Sequence, residues 1–490
     1  MALSVGLLLA AISAYILLSA IRNLYFHPLS HLPGPKSWIA FPILRHLSGV
    51  RGVFDIEIRK HHRTYGTVIR FSADEVSFID ENAWKEIYGH GHAQLPKHTF
   101  SGVNKLDIIN SDDVNHARYR KALSHAFSTK GLQAQEPILA LYIDKLIQRL
   151  AGFAESGLVV DMVQWYNLTT FDLIGDLAFG EPFGGLDSSK YHHWVATIFN
   201  NFKVLPIVRA KDAYPWLISP LLALVPKSKL NARIKQREHA SATVQKRLSN
   251  TAAHGRGDFM DSMLRNRGEK DGLTDAELEA NANILIIAGS ETTATLLSGV
   301  TFLLLSSPET LTKATAEVRT TMQSEDDITF TNVSSQLPYL LACIDEAFRM
   351  YPPVPSGLPR ISQATMKIAG YTIPPQTKVS VHQSAAYWSP ANFHDPDRFI
   401  PERWLPEAKE NPASPYYNDN RAVVQPFSTG PRNCLGKNLA YAEMRVILAR
   451  VLWNFDITLC EESRHWRDQK TYILWEKPPL WVKLKGRGGH

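Results

Sequence analysis

The segment Phe427-Ser-Thr-Gly-Pro-Arg-Asn-Cys-Leu-Gly places Cys434 just ahead of AYAEMRVILARVLWNF, where Met444, Ile447, Leu448, Val451 and Leu452 recur at helical spacing. A thiol at the start of a helix meets amide donors and the positive end of the helix dipole, which lower its pKa toward a usable thiolate. Gly430 and Gly436 bracket the cysteine and leave room for a flat group to approach backbone, and Arg432 adds a cation two residues away. Three uses of such a thiol compete: a nucleophile paired with a distant histidine, a metal ligand, or an inert buried cysteine. Zinc is disfavoured, because no second cysteine or histidine stands at ligand spacing and neither HExxH nor CxxC occurs. Cys343 in YLLACIDEAF and Cys460 in FDITLCEE have apolar contexts and read as inert.

Three further segments carry groups that could act with it. Thr274-Asp-Ala-Glu forms a capping box with Glu277 and opens a helix that must stop before Pro308, roughly thirty residues and about 45 Å long. Its centre, ILIIAGSETTATLL, presents Ala288, Gly289, Glu291, Thr292 and Thr293; taken alone, the threonines could simply bond back to the preceding turn and Glu291 could be a surface charge. Glu346 and Arg349 stand three apart on a helix ended by Pro352 and Pro353, a pair any surface helix can carry. His116 and Arg120 are four apart on one helical face.

In combination these segments resemble the cytochrome P-450 haem-thiolate monooxygenases. Phe427, Gly430, Arg432, Cys434 and Gly436 match the FxxGxRxCxG signature at all five positions, and Ala288 to Thr293 match the oxygen-binding motif (A/G)Gx(D/E)T(T/S). Glu346 and Arg349 match the ExxR helix, Phe399-Ile-Pro-Glu-Arg-Trp the PERF-like segment with Arg403, and His116 and Arg120 the WxxxR positions, with histidine in place of the usual tryptophan. The resemblance covers about residues 30 to 485. It implies a mainly α fold with a minor β part, a triangular prism. It also implies haem b with Cys434 as the axial iron ligand and Phe427 packed near the sulfur; such a thiolate pushes electron density to the iron and favours O–O cleavage. Gly289 would open space beside the iron, Glu291 and Thr292 would handle protons, and His116, Arg120, Arg360 and Arg432 would contact the haem propionates, for which guanidinium forks are suited. Glu346, Arg349 and Arg403 would serve folding and haem retention.

By the same resemblance the chain inserts one oxygen atom from O2 into a small apolar molecule. Phe171 to Leu186 and the Pro-rich entry to the body resemble filamentous-fungal members of secondary metabolism, which points to a terpenoid or polyketide substrate. No GxGxxG segment follows a strand, the nearest string, GHGHAQ from Gly89, lacking the third glycine. Electrons are therefore expected from a separate NADPH-dependent diflavin reductase, docked on cations such as Arg118, Lys121 and Lys437. A haem-thiolate isomerase or dehydratase, and a noncatalytic membrane-tethered haem-binding protein, are the alternatives.

The elements that must position these groups follow from the rest of the chain. Its 490 residues, 44% hydrophobic and 20% charged, are ample for a large core. A net charge of +6 over a hundred charged groups is too weak for a nucleic-acid binder. Three cysteines argue against a disulfide framework. Ala2 to Ile21 is uncharged and would span about 30 Å as a helix, the hydrocarbon thickness of a bilayer. No Lys or Arg precedes it, against a cleaved signal peptide, while Arg22 and Lys36 follow it and favour a cytosolic body on the endoplasmic reticulum. The expected organisation is an anchor at 1–22, a Pro-rich hinge at 23–40 and a haem-thiolate domain at 41–490. Thr67 to Ile79 reads as strand, and Gly255 to Gly272 and Asn411 to Asn420 as loops. The sequons at Asn167 and Asn332 are expected to stay unmodified. Leu95 to Asp113, Ile198 to Val225 and Val354 to Gly357 are expected to line an apolar pocket.

Overall fold

The computed structural model describes residues 2–101, 103–192, 202–223, 244–247, 256–265 and 267–488. The uncharged N-terminal run forms helix α1 (Ala2–Ile21), with Leu7, Leu8, Leu9, Leu17 and Leu18 more than half exposed. Apolar side chains left outside a protein in this way suit a bilayer. The segment that follows is stiff, as its prolines dictate, and it is also docked. Leu29 and Leu32 are buried in the same cluster as the sheet residues Val68, Val76 and Phe78. The Arg70 guanidinium donates to the Asn23 carbonyl at 2.8 Å, and the Arg70 amide to that of Pro33 at 2.8 Å. A Cβ on Gly34 would lie 1.8 Å from the Arg70 carbonyl oxygen, so only glycine permits this approach.

Thr67 to Ile79 folds as an antiparallel hairpin, β1 (Val68–Arg70) and β2 (Glu75–Phe78), rather than one strand. Asp112 and Ser128 cap helices α2 (Asp113–Leu123) and α3 (Thr129–Ser156) by accepting from the Asn115 and Gly131 amides, their local preference as cap residues. Strand β3 (Val159–Asp161) leads into α4 (Met162–Phe179), buried on nearly every side. Asn167 lies inside α4 at 2% exposure, where no glycan could reach it. The expected loop after Gly255 contains a short helix, Phe259–Leu264, because Asp258 caps it and Phe259, Met260 and Met263 face the core; Gly255 itself lies outside the described residues.

Helix α5 (Asp275–Leu305) begins with the expected capping box of Thr274 and Glu277 and stops before Pro308. Its composition would suit a membrane span, yet two thirds of its most apolar window is buried in protein, and it runs along α4. Helix α6 (Pro338–Met350) crosses α5, and strands β4 (Arg360–Ile361) and β5 (Lys378–Val381) complete a sheet ordered β1-β2-β5-β4 with β2 and β5 parallel. Helix α7 (Lys437–Asn454) buries Met444, Ile447, Leu448, Val451 and Leu452, the stripe its periodicity predicts. Strand β6 (Phe455–Leu459), the hairpin of β7 (Thr471–Tyr472) and β8 (Leu474–Trp475), and β9 (Trp481–Gly486) close the chain, β9 pairing with both β3 and β6. The fold is mainly helical with small sheets.

Candidate active site

Cys434 sits in the turn ahead of α7. Its amide donates to the Phe427 carbonyl at 2.8 Å, closing the loop, and the Phe427 ring packs between Phe348 and Tyr441 with centroids at 5.1 and 5.3 Å. Gly430 has φ +76°, and a Cβ there would stand 1.7 Å from the Tyr88 carbonyl oxygen, so its glycine is required twice over. The Cys434 side chain is accessible yet poorly solvated, open to space enclosed by protein. Burial pushes the thiol up, and the Gly436 amide, Arg120 and Lys437 draw it back only in part. The expected lowering by the helix start is thus outweighed by desolvation; a bound cation is what holds a thiolate in such a setting.

Positive charge gathers around this loop. Arg120 donates to the Asn433 carbonyl at 2.7 Å and to its side-chain oxygen at 2.5 Å. Arg432 donates to the Ser111 carbonyl at 2.9 Å and to Asp113 at 2.6 Å, while its Nη1 is buried without a hydrogen-bond partner among the described residues. Arg360 lies over the Tyr88 ring at 5.2 Å. Lys97, which the sequence gave no reason to single out, donates to the Ile109 carbonyl, and burial together with Arg360 and Arg432 depresses it to about 7. His116 is lowered to about 4 by burial, Arg432, Lys97 and Arg120, and so stays neutral. Lys97, Arg360 and Arg432 repel one another, opposed here mainly by Asp107 and Asp113, and with Arg120 they offer donors of the kind that suit carboxylates.

At the centre of α5, Ala288 is exposed and Thr292 half-buried although the neighbouring Ser290, Glu291 and Thr293 are buried. Thr292 Oγ1 donates to the Ala288 carbonyl at 2.6 Å, the back-bond its position in a helix allows. Gly289 does not open this space. Its missing Cβ would stand 3.0 Å from Ile174 Cδ1, so the glycine lets α4 and α5 approach closely, and Ala288 is the residue on the open side. Glu291 is not a surface charge with a path to solvent either. It is 2% exposed and paired with Lys477, a partner from the segment between β8 and β9 that lies too far along the chain to be seen by spacing.

Residues 32–484 match the cytochrome P450 family. The chain is a cytochrome P450. It is 60% identical over 486 residues to "Cytochrome P450 monooxygenase olcB" of Penicillium canescens, covering 98% of this chain and 99% of that protein. It is 58% identical over 492 residues to "Trichothecene C-4 hydroxylase" of Trichoderma arundinaceum, covering 99% of both, and 41% identical over 492 residues to "Averantin hydroxylase" of Dothistroma septosporum, covering 98% and 91%. This P450 is therefore an oxidoreductase of the monooxygenase class, using O2, a redox partner and a small substrate; isomerase and noncatalytic readings have no support. The family implies a haem-thiolate cofactor, and the donors present fit one: an accessible soft sulfur at Cys434 beside a cation cluster that contains an unpartnered guanidinium nitrogen.

The P450's ExxR helix does what its pattern predicts, with more partners than the pattern named. Glu346 accepts from Arg349 at 2.7 and 2.9 Å, from Arg403 at 3.2 Å, from Trp404 Nε1 at 2.8 Å and from the Ile400 amide at 3.0 Å. Arg403 also pairs with Asp419, which sequence reading missed because it lies in an irregular Pro- and Asn-rich loop. Arg118, expected on a docking face, is instead engaged by Glu277 and the Gly272 carbonyl; Lys121 and Lys437 remain exposed.

Glu443 on α7 is a second buried carboxyl of this P450 that its sequence did not announce. Burial raises it to about 8, with only the Thr293 hydroxyl drawing it down. An acid whose folded pKa lies above its unfolded value of 4.5 costs the fold nothing below pH 4.5 and progressively more up to about pH 8. Each pH unit in that window is worth at most about 1.4 kcal/mol. Glu443→Gln should therefore raise the thermal midpoint over wild type more at pH 8 than at pH 5.5. Equal gains at both pH values would show that Glu443 is already ionised in the fold.

Proposed function

We propose that this P450 inserts one atom of O2 into an apolar fungal secondary metabolite of terpenoid or polyketide type, RH + O2 + 2H+ + 2e− giving ROH + H2O, with electrons from an NADPH-dependent diflavin reductase. The observation that carries this reading is the accessible Cys434 thiol, drawn on by Arg120 and Lys437 in a loop whose Arg432 is felt by Lys97 and Arg360, in a chain whose longest buried helix is open at Ala288 and Thr292. The names of the trichothecene and averantin hydroxylases support the substrate class.

In this reading haem b, when bound, would supply oxygen activation, held through the Cys434 sulfur, with Phe427, Gly430 and Gly436 shaping the loop around it. Arg120, Arg360, Arg432 and His116 would hold its carboxylates, His116 as a neutral donor. Lys97 joins them. Thr292, tied to the Ala288 carbonyl, presents its hydroxyl oxygen to the open side and orders the water that brings protons, with Glu291 as the acidic group that relays them. Leu95 to Asp113 supplies apolar wall residues. Of Val354 to Gly357, Ser356 instead turns toward Asp55, with oxygens at 2.9 and 3.0 Å, and Gly357 packs against Ser380; Ile198 to Val225 lies partly outside the described residues. Helix α1 anchors the enzyme in the endoplasmic reticulum membrane, with Arg22 and Lys36 keeping the body cytosolic.

Incubation of the membrane-bound enzyme with reductase, NADPH and candidate terpenoids and polyketides tests the reading by product mass. Thr292→Ala provides its sharpest control. The variant should keep substrate binding and the reduced-CO spectrum, continue to oxidise NADPH, and yield hydrogen peroxide in place of hydroxylated product, cutting product per NADPH by about tenfold or more. An unchanged ratio would remove Thr292 from proton delivery.

A further inference from the structure

Glu291 is held in an unusual way. One carboxylate oxygen, Oε1, accepts from Lys477 Nζ and lies 3.4 Å from Thr295 Oγ1; Lys477 also donates to Thr295 Oγ1 at 2.6 Å. The other oxygen, Oε2, is buried and has no hydrogen-bond partner among the described residues. Lys477 is only 4% exposed and Glu291 3%, so two charges have been taken out of water together. Desolvating each ion costs several kcal/mol, and an apolar pair of the same shape would be about as stable. Stability alone gives no reason for a lysine there.

The segment carrying Lys477 is fixed from both sides. Trp475 stacks on Tyr351 with centroids 4.5 Å apart and donates to the Pro352 carbonyl at 2.7 Å; the Pro478 carbonyl accepts from Trp466 at 2.8 Å, and the Leu480 amide donates to Asp161 at 2.8 Å. Tyr351 in turn presses on α5, where a Cβ on Gly299 would stand 2.3 Å from its ring. The ammonium is thus delivered to α5 by a rigid arm from another part of the fold. The ionisable groups felt at Glu291 are Lys477 from this arm, Tyr351 from the end of α6 and Tyr191 from the loop after α4; Lys477 is the cation among them. Burial raises Glu291, and Lys477 is the largest influence opposing it.

We propose that Lys477 is a positioning residue for oxygen activation: it keeps Glu291 a carboxylate, pins Oε1 against Thr295, and leaves Oε2 free to accept protons and hand them on. The inference rests on the reading of Glu291 as the group that relays protons to Thr292. It assigns a role in the reaction to the C-terminal hairpin region, which holds none of the sequence motifs.

The test is isotope-edited infrared spectroscopy on the haem-loaded protein with labelled glutamate, using Glu291→Gln to identify the Glu291 band, alongside product per NADPH as a function of pH. Wild type should show Glu291 as carboxylate at pH 7. Lys477→Met should show the protonated carboxyl band at pH 7, lose about tenfold or more of its coupling to hydrogen peroxide, and recover coupling as pH rises. Lys477→Arg should behave as wild type. If Lys477→Met retains little haem, the double variant Glu291→Gln/Lys477→Met, which leaves no buried charge unpaired, should couple no worse than Glu291→Gln alone. A carboxylate at pH 7 with unchanged coupling in Lys477→Met, or losses that add in the double variant, would overturn the proposal. Full coupling in Glu291→Gln would overturn the proton-relay reading instead, and the infrared band would still report whether Lys477 sets the charge.

Discussion

Cys434→Ala is expected to abolish the thiolate-type reduced-CO spectrum and all product formation. The physical ground is that no other soft anionic donor exists to replace the sulfur: Cys343 is fully buried within α6 with its thiol pushed well above the usual range, and Cys460 lies beyond α7 at the edge of a strand. Cys343→Ala and Cys460→Ala should keep a Soret band displaced far to the red after reduction under CO. A Cys434→Ala protein with that band and normal turnover would mean that another group binds the iron.

Glu346→Ala should be nearly as severe, through the fold and not the chemistry. The residue balances two fully buried guanidinium groups, and its removal leaves Arg349 with the Tyr387, Pro396 and Arg398 carbonyls and Arg403 with Asp419 and the His394 and Asp395 carbonyls. Breaking a buried network of this kind costs about 3–5 kcal/mol, a large fraction of the 5–15 kcal/mol that holds a typical protein together. The expected outcome is a lower urea midpoint and purified protein with little haem per chain. Asp419→Asn should move both quantities in the same direction but less, since Arg403 then retains Glu346. A Glu346→Ala protein with full haem content and an unshifted midpoint would show that the arginines are satisfied by carbonyls alone.

What the sequence disclosed and what it withheld divide along a physical line. Groups whose function depends on neighbours in the chain were legible: the Cys434 loop, the Thr274 cap, and Glu346 with Arg349 one turn later. Groups whose partners come from elsewhere in the fold were not. Lys477 lies 186 residues from Glu291, and nothing local distinguishes it from any lysine before two prolines. Lys97 acquires its significance only when Arg360 and Arg432 are folded against it, and Asp419 only when Arg403 arrives. Gly289 shows the subtler failure, in which a motif position was right and its assigned role was not: the direction of a missing side chain depends on helix rotation, and rotation places Ile174 there. The strand prediction at Thr67 to Ile79 missed the turn at Ser72 to Asp74, which has no Gly, Pro or Asn and is announced only by the weaker turn preference of Ser72 and Asp74.

The lock between Arg70 and the chain at Asn23 to Gly34 means that the apolar helix α1 does not lead into a swivel. With Leu29 and Leu32 inside the core and Gly34 pressed to the Arg70 carbonyl, a bilayer that held α1 would meet the catalytic body at an attitude fixed by its own sheet. A molecule held in that way would spin about the membrane normal but would not tumble. For a redox partner confined to the same surface, finding the correct face becomes a search over one angle in two dimensions, and a larger share of collisions is productive than for the same two bodies free in solution.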